Sequence, residues 1–160
     1  MAVDLGSKTG YATWDYRKGL MHIGTERLAT AKELKVGASQ LRRLDPRVQN
    51  LHRFIGRVVD ALPGPVMVTF EDVEFLSYTK QTQLWASLRA ALWIQPRVQY
   101  FDCVPVGTLK KFATGHGGAN KETMERAFLR DYRPDASLQL DDNAIDAYFI
   151  LQWTLKKYGL

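Results

Sequence analysis

The spacing of apolar and polar positions switches between a period of two and a period near 3.6, and the switches mark out the elements. An apolar run over residues 1–4 predicts a strand, followed by a turn over 6–10 bounded by Gly6 and Gly10. Further strands over 11–14 and 20–25, separated by a polar break at 17–19, read as hairpins. Residues 26–40 are polar and without a period, which predicts a long loop or a frayed helix start. Asp45-Pro46 then supplies an N-cap and a first-turn proline. Behind it Val48, Leu51, Ile55, Val58 and Leu62 recur at helical spacing until Pro63-Gly64-Pro65 stops the helix.

The second half alternates strand and helix. Val66-Met67-Val68-Thr69-Phe70 is the near-continuous apolar run of a strand buried on both faces, and it delivers Glu71 at its end. A helix over 79–94 carries Leu84, Leu88 and Leu92 on one side, and a strand over 98–103 follows Pro96. A short helix over 105–113, a glycine-rich break at 114–118, a helix over 121–132 capped by Asn120, and a final helix over 140–157 complete the chain. The order β-β-β-α-β-α-β-α-α-α predicts an α/β fold with one mixed sheet and helices packed on it. At 160 residues, with no repeat or linker, one domain over 1–160 is expected.

Composition narrows the class. Hydrophobic residues make up 46% and charged residues 24%, which excludes a disordered or fibrous chain. The single cysteine, Cys103, allows no intrachain disulfide. No apolar run approaches the ~20 residues of a membrane span, and the start lacks the pattern of a signal peptide. A soluble, cytoplasmic protein without membrane contact is expected. The net charge of +5 is unevenly placed, with 11 basic and 6 acidic residues in 1–62 against 11 of each in 63–160. Such asymmetry suits a polyanionic partner; a solvated basic face would look the same on charge alone.

Four acids stand where packing alone would not put them. Asp4 ends an apolar strand, Glu71 ends the most hydrophobic one, and Asp142 and Asp146 lie among Ala144, Ile145, Ala147, Phe149 and Ile150. On a helix Asp142 and Asp146 fall within about 40° of each other, whereas Asp141 lies about 140° from Asp146 and points elsewhere. Asn143, about 60° away, could join the same face as a neutral donor. Acids at adjacent strand ends facing acids on a helix would form an oxygen-rich pocket for Mg²⁺, with Mn²⁺ as substitute, rather than for Zn²⁺. Two such ions ~3.5–4 Å apart suit phosphodiester hydrolysis. Taken singly, Asp4 could cap a turn, Glu71 could pair with a lysine, and Asp142 could cap or start the last helix.

The motifs Asp4-Leu5-Gly6-Ser7-Lys8-Thr9-Gly10, Phe70-Glu71-Asp72-Val73 and Asp142-Asn143-Ala144-Ile145-Asp146-Ala147 occur in the order found in RuvC-like nucleases, the RNase H-like Holliday-junction resolvases of bacteria and phages. The segment from Leu109 to Lys121, with its lysines and glycine turn, also resembles that family, so the likeness spans residues 1 to about 151. It implies an RNase H-like mixed five-stranded sheet flanked by helices. It further implies metal-binding catalytic acids at Asp4, Glu71 and Asp146. The family's fourth acid falls at Asn143 here, and Asp142 offers the nearest carboxylate, as in phage-type members. Lys110 and Lys121 match basic residues near the scissile phosphate, Lys121 counting with the catalytic set and Lys111 as an additional DNA contact. Phe75 and Tyr78 could stack on or wedge between bases at a junction, or pack against the next helix. His116 reads as a solvent-facing loop residue, and Trp85, Trp93 and Trp153 as core or interface.

The resemblance thus implies a Mg²⁺-dependent endonuclease that resolves four-way and other branched DNA as a homodimer, leaving 5′-phosphates. Rivals are a YqgF-like RNA nuclease of the same fold and a junction-binding module that does not cut. The glycine-containing hairpin also resembles the phosphate loop of actin-like ATPases, but those need two such domains. Retention of the acids argues against a pure binder, which would gain by shedding negative charge from a DNA face.

Overall fold

A computed structural model of the chain describes residues 1–40, 45–73, 79–132 and 140–160. Strands β1 (Ala2–Asp4), β2 (Lys8–Asp15), β3 (Leu20–Arg27), β4 (Val66–Asp72) and β5 (Val98–Pro105) form one sheet in the order β3-β2-β1-β4-β5. The first three strands run antiparallel, while β4 lies parallel to β1 and β5 parallel to β4. Among the described residues six helices flank the sheet: α1 (Ala31–Gln40), α2 (Pro46–Ala61), α3 (Thr79–Trp93), α4 (Val106–Thr114), α5 (Lys121–Asp131) and α6 (Asp142–Tyr158). The fold is the mixed five-stranded α/β sheet flanked by helices that the sequence predicts. Among the described residues no helix is long and apolar enough to cross a membrane.

The sheet has a core on each side. Val3, Val68 and Phe70 pack with Leu51 and Ile55 of α2 and Leu88 and Leu92 of α3. Ala2, Ala12 and Val104 pack with Leu109 of α4, Phe128 of α5, and Ile145, Phe149 and Ile150 of α6. Because strand side chains alternate between faces, Asp4 shares the side of Ala2, and Glu71 lies opposite to Phe70. Both acids therefore point toward α6. Trp85 is buried in the first core, whereas Trp93 is 54% exposed at the end of α3. Trp153 is half-buried on α6, with Lys157 Nζ 4.6 Å from its ring centroid.

Helix α6 is apolar almost all round, with Ala144, Ile145, Ala147, Tyr148, Phe149, Ile150, Leu151 and Thr154 buried. That is the pattern of a helix enclosed by other elements, and α6 touches β1 to β4 as well as α4 and α5. Its first turn comes unusually close to β2. A Cβ on Gly10 would sit 1.8 Å from the Asn143 carbonyl oxygen and 2.2 Å from its carbon. Gly10 has no positive φ, so glycine is needed there for room rather than for backbone freedom.

Several boundaries differ from the sequence reading by a residue or two, and three differences have a clear physical cause. The segment expected to be a long loop or frayed start contains α1, whose Thr30 and Glu33 form a capping box. Glu33 N donates to Thr30 Oγ1 (3.2 Å) and Thr30 N donates to Glu33 Oε2 (2.7 Å). Strand β2 begins at Lys8, inside the expected turn, because Lys8 and Thr9 pair with Arg27 and Glu26. The last helix begins at Asp142 rather than near residue 140; Asp141 is its N-cap, its carboxylate accepting from Ala144 N at 3.2 Å.

Replacing Gly10 with alanine should force α6 away from β2. Overpacking of this severity is expected to destabilise the protein by about 3 kcal/mol or more. Denaturant unfolding of Gly10→Ala beside the parent protein checks this; an unchanged midpoint would refute it.

Candidate active site

At the carboxyl ends of β1 and β4, the sheet meets the first turns of α5 and α6. Glu71, Lys110, Lys121, Asp142 and Asp146 line one cavity of about 200 Å³, closed by Val106, Asn120, Met124 and Ile145. Each side chain has a local reason to be there. Glu71 lies near the end of β4, which pairs with both β1 and β5 and so is held on two sides. Lys110 sits on α4, which packs by Leu109 and Ala113 and ends at Gly115 in the left-handed conformation (φ 83°). The turn that follows returns the chain to Asn120, which caps α5 by accepting from Thr123 N, so that Lys121 is the first helical residue. Asp142 and Asp146 lie one turn apart on α6.

The acids repel one another. Burial raises the Asp146 carboxyl from 3.8 to about 6, with Asp142 adding repulsion and Lys110 and Lys121 opposing it. Burial likewise carries Glu71 from 4.5 to about 7, helped by Asp146 and opposed by Lys110. Asp4 does not line the cavity but lies within the same field. Its carboxyl is pushed well above the ordinary range by burial and then by Asp146, Glu71 and Asp141, against Lys121. Lys121 is the nearest counter-charge: its Nζ donates to Asp142 Oδ2 at 2.5 Å, a contact that raises the ammonium. The lysine side chain is otherwise 82% exposed, which leaves it free to leave that partner.

Asp141 behaves differently from its neighbour. Burial works to raise its carboxyl, but hydrogen bonds from Thr25, Lys8 and Ala144 overcome this and hold it at about 2. It is an ordinary carboxylate tied to the sheet. The neutral Asn143, at the helix start, is half-buried against Gly10. Among the other residues singled out in the sequence, Lys111 is exposed on α4 and does not line the cavity. His116 is exposed in the turn after α4, outside the cavity. Phe75 and Tyr78 lie outside the described residues. Sequence reasoning gave Lys8 no role beyond its place in the Asp4–Gly10 motif, did not single out Thr25 and gave Asp141 no partner. The available signal was an Asp immediately before the last apolar stretch, which marks an N-cap.

The donors at this pocket are carboxylate oxygens, the set that hard divalent cations prefer and that zinc does not. A cation would also relieve the repulsion that lifts Glu71 and Asp146. As the side chains stand, no three His, Cys, Asp or Glu among the described residues are gathered closely enough to enclose an ion; the cation at Asp142 is the Lys121 ammonium.

Neither a family model nor a curated protein matches the chain. Solved structures do. One of Thermus thermophilus RuvC aligns over 98% of this chain and 94% of its own, at 15% identity and a TM-score of 0.59. Another, T. thermophilus RuvC in complex with Holliday junction substrate, aligns over 98% and 93% at 14% identity and a TM-score of 0.66. The fold is RuvC-like. At this level of identity the likeness is one of fold.

The raised carboxyls carry a stability consequence. A group whose pKa is higher folded than unfolded stabilises the fold below its unfolded value, and that contribution is lost as pH rises through the folded value. For Glu71 and Asp146 the window runs from about pH 4 to about pH 7. In chelator, Asp146→Asn should therefore exceed the parent in stability by on the order of 2 kcal/mol at pH 8 and by little at pH 4. Denaturant melts at the two pH values test this, and a gain independent of pH would contradict it.

Proposed function

We propose that this protein is a divalent-metal-dependent, structure-selective endonuclease that resolves four-way DNA junctions and other branched DNA, acting as a homodimer. The observation that carries the reading is the convergence of Glu71, Asp142 and Asp146, with Asp4 in the same field, beside Lys110 and Lys121. The fold it shares with a RuvC solved in complex with Holliday junction substrate supports the choice of nucleic acid. Asp4, Glu71, Asp142 and Asp146 would hold Mg²⁺, with Mn²⁺ as substitute. When bound, such ions supply an activated water and neutralise charge on the leaving oxygen.

The chain's own residues do the rest. Burial and mutual repulsion keep the carboxylates poised to take up positive charge rather than to pair with one another. Lys110 at the cavity wall holds a non-bridging phosphate oxygen and offsets charge that grows toward the transition state. Lys121 exchanges its contact with Asp142 for the phosphate when DNA arrives. Lys111, exposed one position beyond Lys110, contacts the flanking backbone, while Phe75 and Tyr78 stack on unpaired bases at the branch point. Water replaces the 3′ oxygen at phosphorus, leaving a 5′-phosphate and a 3′-hydroxyl. Two copies place one such pocket on each of two opposed strands.

The test uses a labelled synthetic four-way junction and a matching linear duplex, with Mg²⁺, with Mn²⁺ and with chelator. Paired nicks confined to the junction are expected with either metal. Asp146→Asn should slow them by at least about a hundredfold, about 2.7 kcal/mol in the barrier. Tight junction binding without cleavage would instead make the protein a recognition module. Cleavage of RNA alone would favour the YqgF-like reading.

A further inference from the structure

Two consecutive acids at the start of α6 divide between two tasks. Asp142 faces the cavity, whereas Asp141 turns to the sheet. Asp141 Oδ1 accepts from Thr25 Oγ1 at 2.5 Å and from Ala144 N at 3.2 Å, and its Oδ2 accepts from Lys8 Nζ at 3.0 Å. One carboxylate thereby joins β2, β3 and the first turn of α6.

Strand register explains why these partners meet. Gly10 pairs with Thr25 across the β2–β3 ladder, so the two share a face. Lys8 lies two residues before Gly10 and points to that same face. Lys8, Gly10 and Thr25 thus form a seat: Gly10 leaves the space that the Asn143 backbone occupies, and the other two grip the residue just before the helix. The seat lies beside β1 and touches the turn that bears Asp142. Asp146 follows one turn later.

We infer that Lys8, Thr25 and Asp141 are positioning residues that set the first turn of α6 over β1 and β4 and thereby tune how tightly the acidic pocket holds a divalent cation. This rests on the proposed metal-dependent reading of that pocket. The three residues are not metal ligands, because their polar atoms are spent on one another and on the helix cap. Nor do they hold the fold together. The Lys8–Asp141 pair is partly exposed, at 47% and 34%, and such pairs add little global stability; the apolar face of α6 supplies that. Supporting groups of this kind alter metal affinity by about 10–100-fold where they have been removed from other sites.

Mn²⁺ binding to the protein, followed by electron paramagnetic resonance, tests the inference without any cleavage assay. The variants are Lys8→Met, Thr25→Val and the two combined, with Lys8→Arg and Thr25→Ser as conservative controls. Loss of positioning should weaken Mn²⁺ binding about tenfold in the combined variant with little change in melting temperature, and Thr25→Ser should bind as the parent does. Lys8→Met alone is the sharpest arm. Removing a positive charge near an acidic pocket would tighten Mn²⁺ binding through space, whereas a lost seat weakens it. Parent-like or tighter binding in Lys8→Met and in the combined variant overturns the inference. So does weaker binding that appears only with a matching fall in melting temperature, or that Thr25→Ser shares. If the parent itself binds no Mn²⁺, the metal-dependent reading of the pocket falls as well, whereas failure of the variants alone leaves that reading standing.

Discussion

The approach of one backbone to another at Gly10 and Asn143 governs the geometry of the site. Helix α6 carries two of the four acids and much of the second core, so where its first turn rests on the sheet decides both. No side chain intervenes at that point, because a Cβ on Gly10 would overlap the Asn143 carbonyl. Contact between backbones is less forgiving than contact between side chains, which can change rotamer. The absence of a Cβ at Gly10 therefore lets the end of the helix that bears Asp142 settle close onto the sheet, while its remaining turns are fixed by ordinary apolar packing.

That close seating has an electrostatic cost. It brings Asp146 toward Glu71 and Asp4 in half-buried surroundings, and each carboxyl rises above its ordinary range, by burial first and repulsion second. A fold selected for stability alone would not gather them. Two cations moderate the charge: Lys110 at the wall and Lys121 on Asp142. Both come from the stretch around the glycine turn, where Gly115 ends α4 and Asn120 starts α5. Local violations of stable packing concentrated in one pocket, within an otherwise well-packed molecule, are the pattern expected of a functional site.

The elements were largely legible from periodicity. The stripe from Val48 to Leu62 has a helical period and the run from Val66 to Phe70 is near-continuously apolar and β-rich, and they correspond to α2 and β4. Helix α1 was not, since its sequence has no apolar stripe, and the capping box at Thr30 and Glu33 was the signal that remained. The boundary at Lys8 was hidden for another reason. A glycine-bounded segment reads as a turn, yet pairing with β3 draws Lys8 and Thr9 into the ladder. Strand pairing is a long-range contact that local composition does not encode.

The candidate site divides along the same line. Local rules are enough to pick out Asp4, Glu71, Asp142 and Asp146 as acids in apolar surroundings, and to place Asp142 and Asp146 on one helix face, because the angle between residues on a helix is a property of the backbone. The sequence by itself determined which side chains are available and the face that each takes on its own strand or helix. It did not determine that β1 lies between β2 and β4, that Asp4 and Glu71 share the side of the sheet covered by α6, or that Asp141 closes onto Lys8 and Thr25. Those outcomes depend on strand order and on the depth at which α6 settles. The first is decided by pairing between segments as far apart as Ala2 and Thr69, the second by packing between segments more than a hundred residues apart, with Gly10 and Asn143 as a point of contact. Only the folded chain brings such segments together.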